Sequence, residues 1–237
     1  MTKYRVNKTK HVDQTKTVSF DFDGKSYHGF EGDTLASALL SNGVHLVGRS
    51  FKYHRPRGIM SCGSEEPNAI CQINEDTDLT EPNVRATEIE LYEGLKASSQ
   101  NCWPSVNFDI GGINNFISPF IPAGFYYKTF MWPKSFWKKI YEPLIRWSAG
   151  LGKSPTKPDP ELYDHKHVHC DVLIIGGGIS GIIASKIAAK NNLKTILIED
   201  KNILGGSTIF QKNENYKIND KYSGCLLYTS PSPRDQL

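Results

Sequence analysis

The chain has 237 residues, with 28 Lys and Arg against 25 Asp and Glu, a formal net charge of +3 that is too small to imply a nucleic-acid partner. Its polar N-terminus lacks the apolar stretch of a secretory signal, and its longest apolar run, around Val172 to Ala189, is interrupted by Lys186, so no membrane span is expected. Five cysteines, at positions 62, 71, 102, 170 and 225, show no paired spacing and fit reduced thiols in a cytoplasmic protein.

Length leaves room for one domain of ordinary size and part of another. In chain order, Thr17 to Phe22 and Ser26 to Phe30 alternate about Asp23-Gly24, which predicts a tight hairpin. Asp33 is the expected N-cap of a helix over Thr34 to Asn42. Leu35, Leu39 and Leu40 would share one face, and Gly43 would mark the stop. A hairpin followed by a packed helix suggests an α+β β-grasp domain, ferredoxin-like, over residues 1–105.

Such domains often carry a [2Fe–2S] cluster on the loop after the helix, so the plant-type spacing C-x4-C-x2-C can be laid on residues 61–71. From Ser61 it falls on Glu66 and Ala69; from Cys62 it falls on Pro67 and Ile70. Neither register supplies the thiolates, and the expectation is a cluster-less scaffold used for packing or docking, with no metal. The basic, aromatic-bearing segment Gly48 to Ile59 reads first as a solvated loop, with a contact to another domain or subunit as the alternative.

Residues 106–165 form an aromatic and Pro-rich connecting segment, expected to wrap over a surface or another chain. Trp132, Trp137, Tyr141 and Trp147 are expected to fill a core or a subunit interface rather than stack on a cofactor. Residues 151–161 read as an extended linker. His165, His167 and His169 alternate, yet no fourth ligand has suitable spacing for zinc.

Residues 166–224 open an α/β Rossmann-type dinucleotide-binding domain. Asp171 to Ile175 read as a buried strand, and Gly176, Gly178 and Gly181 supply the G-x-G-x-x-G turn. A small-residue helix follows, with Ile179 and Ser180 in its first turn, and Asn191-Asn192 ends it. A second strand from Lys194 to Ile198 delivers Glu199 where a βαβ unit places its ribose-binding acid. A carboxylate there repels a 2′-phosphate, so the cofactor expected is NAD or FAD rather than NADP. Gly205-Gly206 just after the second strand occurs in many flavoproteins and leaves that choice open. Spacing defines no Ser/His/Asp triad or paired-carboxylate motif, so the catalytic residues are unknown at this stage.

The runs GDTLASALLSNGVHLVGRSFKYHRPRGI, AGFYYKTFMWP and HCDVLIIGGGISG, in this order, resemble the alpha subunits of heterotetrameric sarcosine oxidases, with the likeness covering residues 10–224. The resemblance implies an NAD site on Gly176, Gly178, Gly181 and Glu199, in a hetero-oligomeric oxidase whose partner beta subunit carries the substrate-oxidising FAD. It further implies an FMN at the alpha–beta interface and a folate-binding region in the C-terminal part of the alpha subunit. The small amine substrate would be sarcosine, demethylated to glycine with formation of hydrogen peroxide. The alternatives are the alpha subunit of an opine or other amine dehydrogenase, and a non-catalytic nucleotide-binding assembly subunit. Residues 225–237 abandon the pattern and resemble translated sequencing-adapter read-through. They are read as a non-native tail on an N-terminal fragment.

Overall fold

A long hairpin begins the first unit because β-branched and aromatic residues alternate on both sides of a turn that favours positive φ. In the computed structural model, which describes residues 4–5, 12–75, 77–120, 130, 132–201 and 203–210, β1 (Asp13–Phe22) pairs antiparallel with β2 (Lys25–Glu31). Asp23 and Gly24 take φ of 49° and 72°, the left-handed pair of a two-residue hairpin turn. The chain divides into two compact units, Met1–His165 and Lys166–Leu237.

Three more strands complete the first sheet: β5 (Ile70–Ile73), β6 (Glu81–Arg85) and β7 (Leu95–Ser99), preceded by a small separate ladder of β3 (Gly48–Arg49) and β4 (Pro56–Arg57). The order is β2-β1-β7-β5-β6, with β1 and β7 parallel at the centre and the other pairs antiparallel. This is the β-grasp arrangement expected from the hairpin and helix. Phe20, Phe22, Leu95, Ala97, Cys71 and Ile73 form the inner face.

Helix α1 (Leu35–Ser41) covers that face with Leu35, Ala38 and Leu39, while Leu40 is only half-buried. Each of the two buried leucines contributes roughly 1.5–3 kcal/mol by leaving water. The helix lies close because β2 offers Gly29: a Cβ there would stand 2.4 Å from Leu91 Cδ2 and 3.1 Å from Ala38 Cβ.

Thr34, not Asp33, caps the helix. Thr34 Oγ1 accepts from Ser37 N at 3.2 Å, and Ser37 Oγ accepts from Thr34 N at 2.9 Å, a reciprocal box. Asp33 is drawn away by a stronger partner. Its carboxylate is 1% exposed and accepts from Arg5 Nη1 and Nη2 at 3.1 and 2.6 Å, from Phe30 N at 2.9 Å and from Ser37 Oγ at 2.8 Å.

The basic segment is not simply a solvated loop, because Arg49, His54 and Arg55 fasten residues of the same unit. Arg49 donates to the carbonyls of Val106, Asn107 and His54. His54 Nδ1 lies 2.6 Å from Asp109 Oδ2, and Arg55 Nε donates to Asn115 Oδ1 at 2.9 Å. Further along, Lys134–Phe136 and Trp137–Tyr141 form short 3-10 and π-helical turns that lead into α2 (Glu142–Ser148).

Within this unit Trp132 and Trp147 are 82% and 76% exposed, so of the two expected places, a core or a subunit interface, the core is not the one they fill. Tyr141 is the exception. Its hydroxyl donates to Trp132 O at 2.9 Å and its ring meets Phe130 at 5.1 Å. The run 121–129 and residue 131 lie outside the described residues, as does the tail 225–237.

The expected linker starts docked rather than free: Lys153 exchanges backbone hydrogen bonds with the Gln72 side chain, both at 3.0 Å, and Gly152 N donates to Asn83 Oδ1. From Ser154 to His169 the chain is exposed and without regular structure.

The second unit is built on β8 (Val172–Ile175), α3 (Ile179–Lys190) and β9 (Thr195–Ile198). The strands run parallel in the register Val172↔Thr195 to Ile175↔Ile198, and the helix returns the chain between them. No helix among the described residues is long and apolar enough to cross a membrane.

Candidate functional site

The glycine turn joins β8 to α3, and its residues carry three separable constraints. Gly176 has φ +99° while its N–H donates to Ile198 O at 2.7 Å, so the chain must turn sharply at the end of the strand without leaving the ladder. Gly181 lets the helix lie on the turn. A Cβ there would fall 1.9 Å from the Gly176 carbonyl oxygen.

Gly178 differs from both. Its φ of −68° is open to any residue, and a Cβ there would find nothing within 4 Å. The structure therefore leaves empty space over the helix start where neither backbone nor packing demands glycine. Gly178 N-caps α3 with no side-chain cap. The N–H groups of Ile179, Ser180 and Gly181 have no acceptor within the helix and present the positive end of its dipole.

Glu199 closes the other side. Its carboxylate accepts from Gly177 N, and from the N–H groups of Asp200 and Lys201 at 3.1 and 3.2 Å. The hydrogen bond with the Asp200 side chain, followed by the Gly177 and Lys201 N–H groups, holds the Glu199 carboxyl below its ordinary range. The same contact moves Asp200 up. An ionised Glu199 is thus fixed beside the glycine turn.

Gly205 and Gly206 come to the same place. Gly205 N donates to Gly177 O at 2.9 Å, and a Cβ on Gly206 would approach Gly178 Cα to 3.1 Å. The structure brings together Gly176, Gly178, Ile179, Ser180, Gly181, Glu199, Gly205 and Gly206, all the residues named for this site from sequence.

Gly177 was missed. Its amide is the donor to Glu199, and a Cβ there would meet Leu204 Cδ2 at 2.4 Å and Glu199 Oε2 at 2.7 Å. The signal lay in the unbroken Gly176-Gly177-Gly178 run, of which the motif counts only the first and third.

On the first unit, the loop after β4 centres on Glu66, whose carboxylate accepts four backbone N–H groups. Met60 and Ser61 donate to Oε2 at 2.7 and 2.6 Å, and Asn68 and Ala69 donate to Oε1 at 2.7 and 3.2 Å. Burial pushes this carboxyl up, and the four N–H groups together outweigh it, leaving Glu66 below its usual range.

Of the thiols nearby, Cys62 is exposed, whereas Cys71 is buried in the sheet, where burial and then the charge of Asp23 push it up to about 12. His165, His167 and His169 are exposed on the extended stretch. Among the described residues no group of three or more His, Cys, Asp or Glu is placed to hold a metal ion.

Two family profiles match this chain: "2Fe-2S iron-sulfur cluster binding domain" over residues 15–102 and "FAD dependent oxidoreductase" over residues 171–212. The chain is 53% identical over 209 residues to the sarcosine oxidase subunit alpha of Rhizobium meliloti (strain 1021), a match covering 88% of this chain. This chain is a relative of sarcosine oxidase alpha subunits.

A second alpha subunit, from Corynebacterium sp. (strain P-1), is 30% identical over 198 residues, 83% of this chain. The chain spans about a fifth of the length of these curated relatives, 21% and 16% respectively. A shorter match, 39% identical over 51 residues, is to the flavin-containing amine oxidase B of Cavia porcellus; it covers 22% of this chain and 10% of that protein.

The two profiles fare differently against the structure. Residues 171–206 fit a dinucleotide, because the space a Cβ of Gly178 would fill lies open beside uncapped helix amides and an ionised glutamate. Residues 60–69 do not fit a cluster: Ser61, Glu66 and Ala69 bring no thiolate, and the N–H groups converge on a carboxylate.

Proposed function

We propose that this chain is the dinucleotide-holding part of the alpha subunit of a flavin-dependent amine oxidoreductase complex acting on sarcosine. The observation that carries the reading is the open space over Gly178, flanked by the first amides of α3 and by Glu199. Similarity to the two alpha subunits points the site toward oxidation of a secondary amine.

In this reading the amides of Ile179, Ser180 and Gly181 hold the pyrophosphate, and Gly178 leaves it room. Glu199 takes the ribose hydroxyls, exchanging part of its present hold on backbone N–H groups for them, and its charge disfavours a 2′-phosphate. The dinucleotide is FAD or NAD. The flavoprotein profile favours the first, and the resemblance to the alpha subunits implies the second.

The overall reaction is sarcosine with oxygen and water giving glycine, formaldehyde and hydrogen peroxide. A bound flavin supplies the hydride acceptor, on the partner subunit in this proposal, while the present residues bind and orient a nucleotide. FMN at the subunit interface and folate as acceptor of the one-carbon unit complete the proposed assembly.

Sarcosine-dependent peroxide formation by the purified complex is the expected result. Peroxide from another amine in place of sarcosine would favour an opine or amine dehydrogenase. Full activity after loss of nucleotide at this site would make the subunit an assembly component.

A second outcome follows from the exposed sheet of the second unit. Leu173 and Ile175 on β8 are 52% and 82% exposed, and the described sheet has two strands. Parallel sheets hold their geometry when both faces are covered. Calorimetry of the 237-residue chain alone should therefore show weak binding of NAD and of FAD beside the full-length subunit with its partners. Tight stoichiometric binding by the isolated chain would show that one βαβ unit is self-sufficient.

A further inference from the structure

We propose that the loop over residues 60–69 is an iron–sulfur loop closed by its own side chain, in which the Glu66 carboxylate takes the seat of the anionic cluster. Ser61, Glu66, Ala69 and Thr87 stand at the four ligand positions. Three of these follow from the plant-type spacing starting at Ser61. The fourth follows from the fold.

A plant-type loop takes its last thiolate from a separate, later segment, and here Thr87, two residues after β6, enters the loop. Its hydroxyl is buried and donates to Gly63 O at 2.6 Å. Ser61 Oγ is buried as well and has no hydrogen-bond partner among the described residues. Ala69 is fully buried.

The amides of this loop already hold an anion. Glu66 is 1% exposed, and its two oxygens receive N–H groups from both limbs of the loop, Met60 and Ser61 on one side and Asn68 and Ala69 on the other. Convergent backbone amides make an anion seat whatever the anion is. A cluster would bring its negative charge to such amides through sulfide and thiolate. A glutamate brings it without iron, and the chain folds the loop with no external component.

The backbone supports the exchange from outside. Arg85 Nε donates to Glu66 O at 3.2 Å, and Ala86 N donates to Ala69 O at 2.8 Å, which tie the loop to the sheet edge that also carries Thr87. This proposal is independent of the reading of the glycine site and concerns the first unit alone.

Three measurements on the full chain test it. Hydrogen exchange of Glu66→Gln, which keeps the shape but removes the charge and one acceptor, should show the amides of Met60, Ser61, Asn68 and Ala69 losing protection by roughly 10- to 100-fold. The β1–β2 amides should keep theirs. Undiminished protection at all four loop amides would overturn the role of the carboxylate.

The unmodified chain, incubated anaerobically with ferrous iron and sulfide, should take up neither in stoichiometric amount; a visible charge-transfer band would overturn the proposal. Combining Ser61→Cys, Glu66→Cys, Ala69→Cys and Thr87→Cys should instead give iron and sulfide in the ratio of a [2Fe–2S] cluster. A folded four-cysteine variant that binds no iron would show that these are not the ligand positions. If that variant does not fold, the first two measurements decide the matter.

Discussion

Gly178→Val in the full-length subunit with its partners should lower dinucleotide affinity by about a hundredfold or more, some 2.7 kcal/mol, with no change in the melting of the N-terminal unit. The reasoning is steric and local. Valine accepts the extended backbone at this residue, φ −68° and ψ −179°, and its Cβ would meet no heavy atom within 4 Å. What it fills is the space over the helix amides.

Gly181→Ala makes the informative contrast, since its Cβ would collide with the Gly176 carbonyl and disturb the turn itself. Nucleotide content of the two purified variants, read beside their circular dichroism, separates a blocked seat from a broken one. Gly178→Val with its full complement of nucleotide would place the pyrophosphate elsewhere.

Asp33→Ala is expected to cost the first unit about 3–5 kcal/mol, read as a fall in the urea midpoint. Asp33 is buried and holds both terminal nitrogens of Arg5, whose side chain is 11% exposed. Without it the guanidinium keeps, among the described residues, Ser41 Oγ at 2.9 Å and the Phe30 ring at 4.8 Å, and the N–H of Phe30 loses its acceptor.

Breaking one side of a buried pair leaves an uncompensated charge, whereas removing both need not. Arg5→Met combined with Asp33→Leu should therefore recover much of the loss. A single Asp33→Ala variant within about 0.5 kcal/mol of the parent, the range of an ordinary surface substitution, would show that the pair contributes little.

Where structure followed local chemistry, it was legible in the sequence. Alternation of Phe20 and Phe22 around a left-handed turn marks the hairpin, and strand, glycines and helix in succession mark the βαβ unit with nearly all of its site. What escaped depended on distant partners. Asp33 and Thr34 are both good caps, and only the arrival of Arg5 from 28 residues away decides between them.

The Glu66 loop was half visible. Spacing pointed at Glu66 and showed the missing thiolate, but four amides folding around one carboxylate is a property of the loop in three dimensions. The basic segment misled for a related reason. Charge suggests solvent or a partner, while the carbonyls that Arg49 binds lie 57 and 58 residues further along this same chain.

The central pairing of β1 with β7 sets a schedule for biosynthesis. Phe20 stands opposite Leu95, and Asp23 accepts from Ser99 N at 2.7 Å, so β1, once made, waits for a strand synthesised some seventy residues later. The hairpin and α1 can form early from near neighbours, yet one edge of β1 stays unpaired until residue 99 has cleared the exit tunnel. Contacts of such separation form slowly, and an open edge is a template for the wrong strand. For this unit, a pause in translation before β7 would prolong exposure of β1, whereas a pause after it would find the sheet already closed.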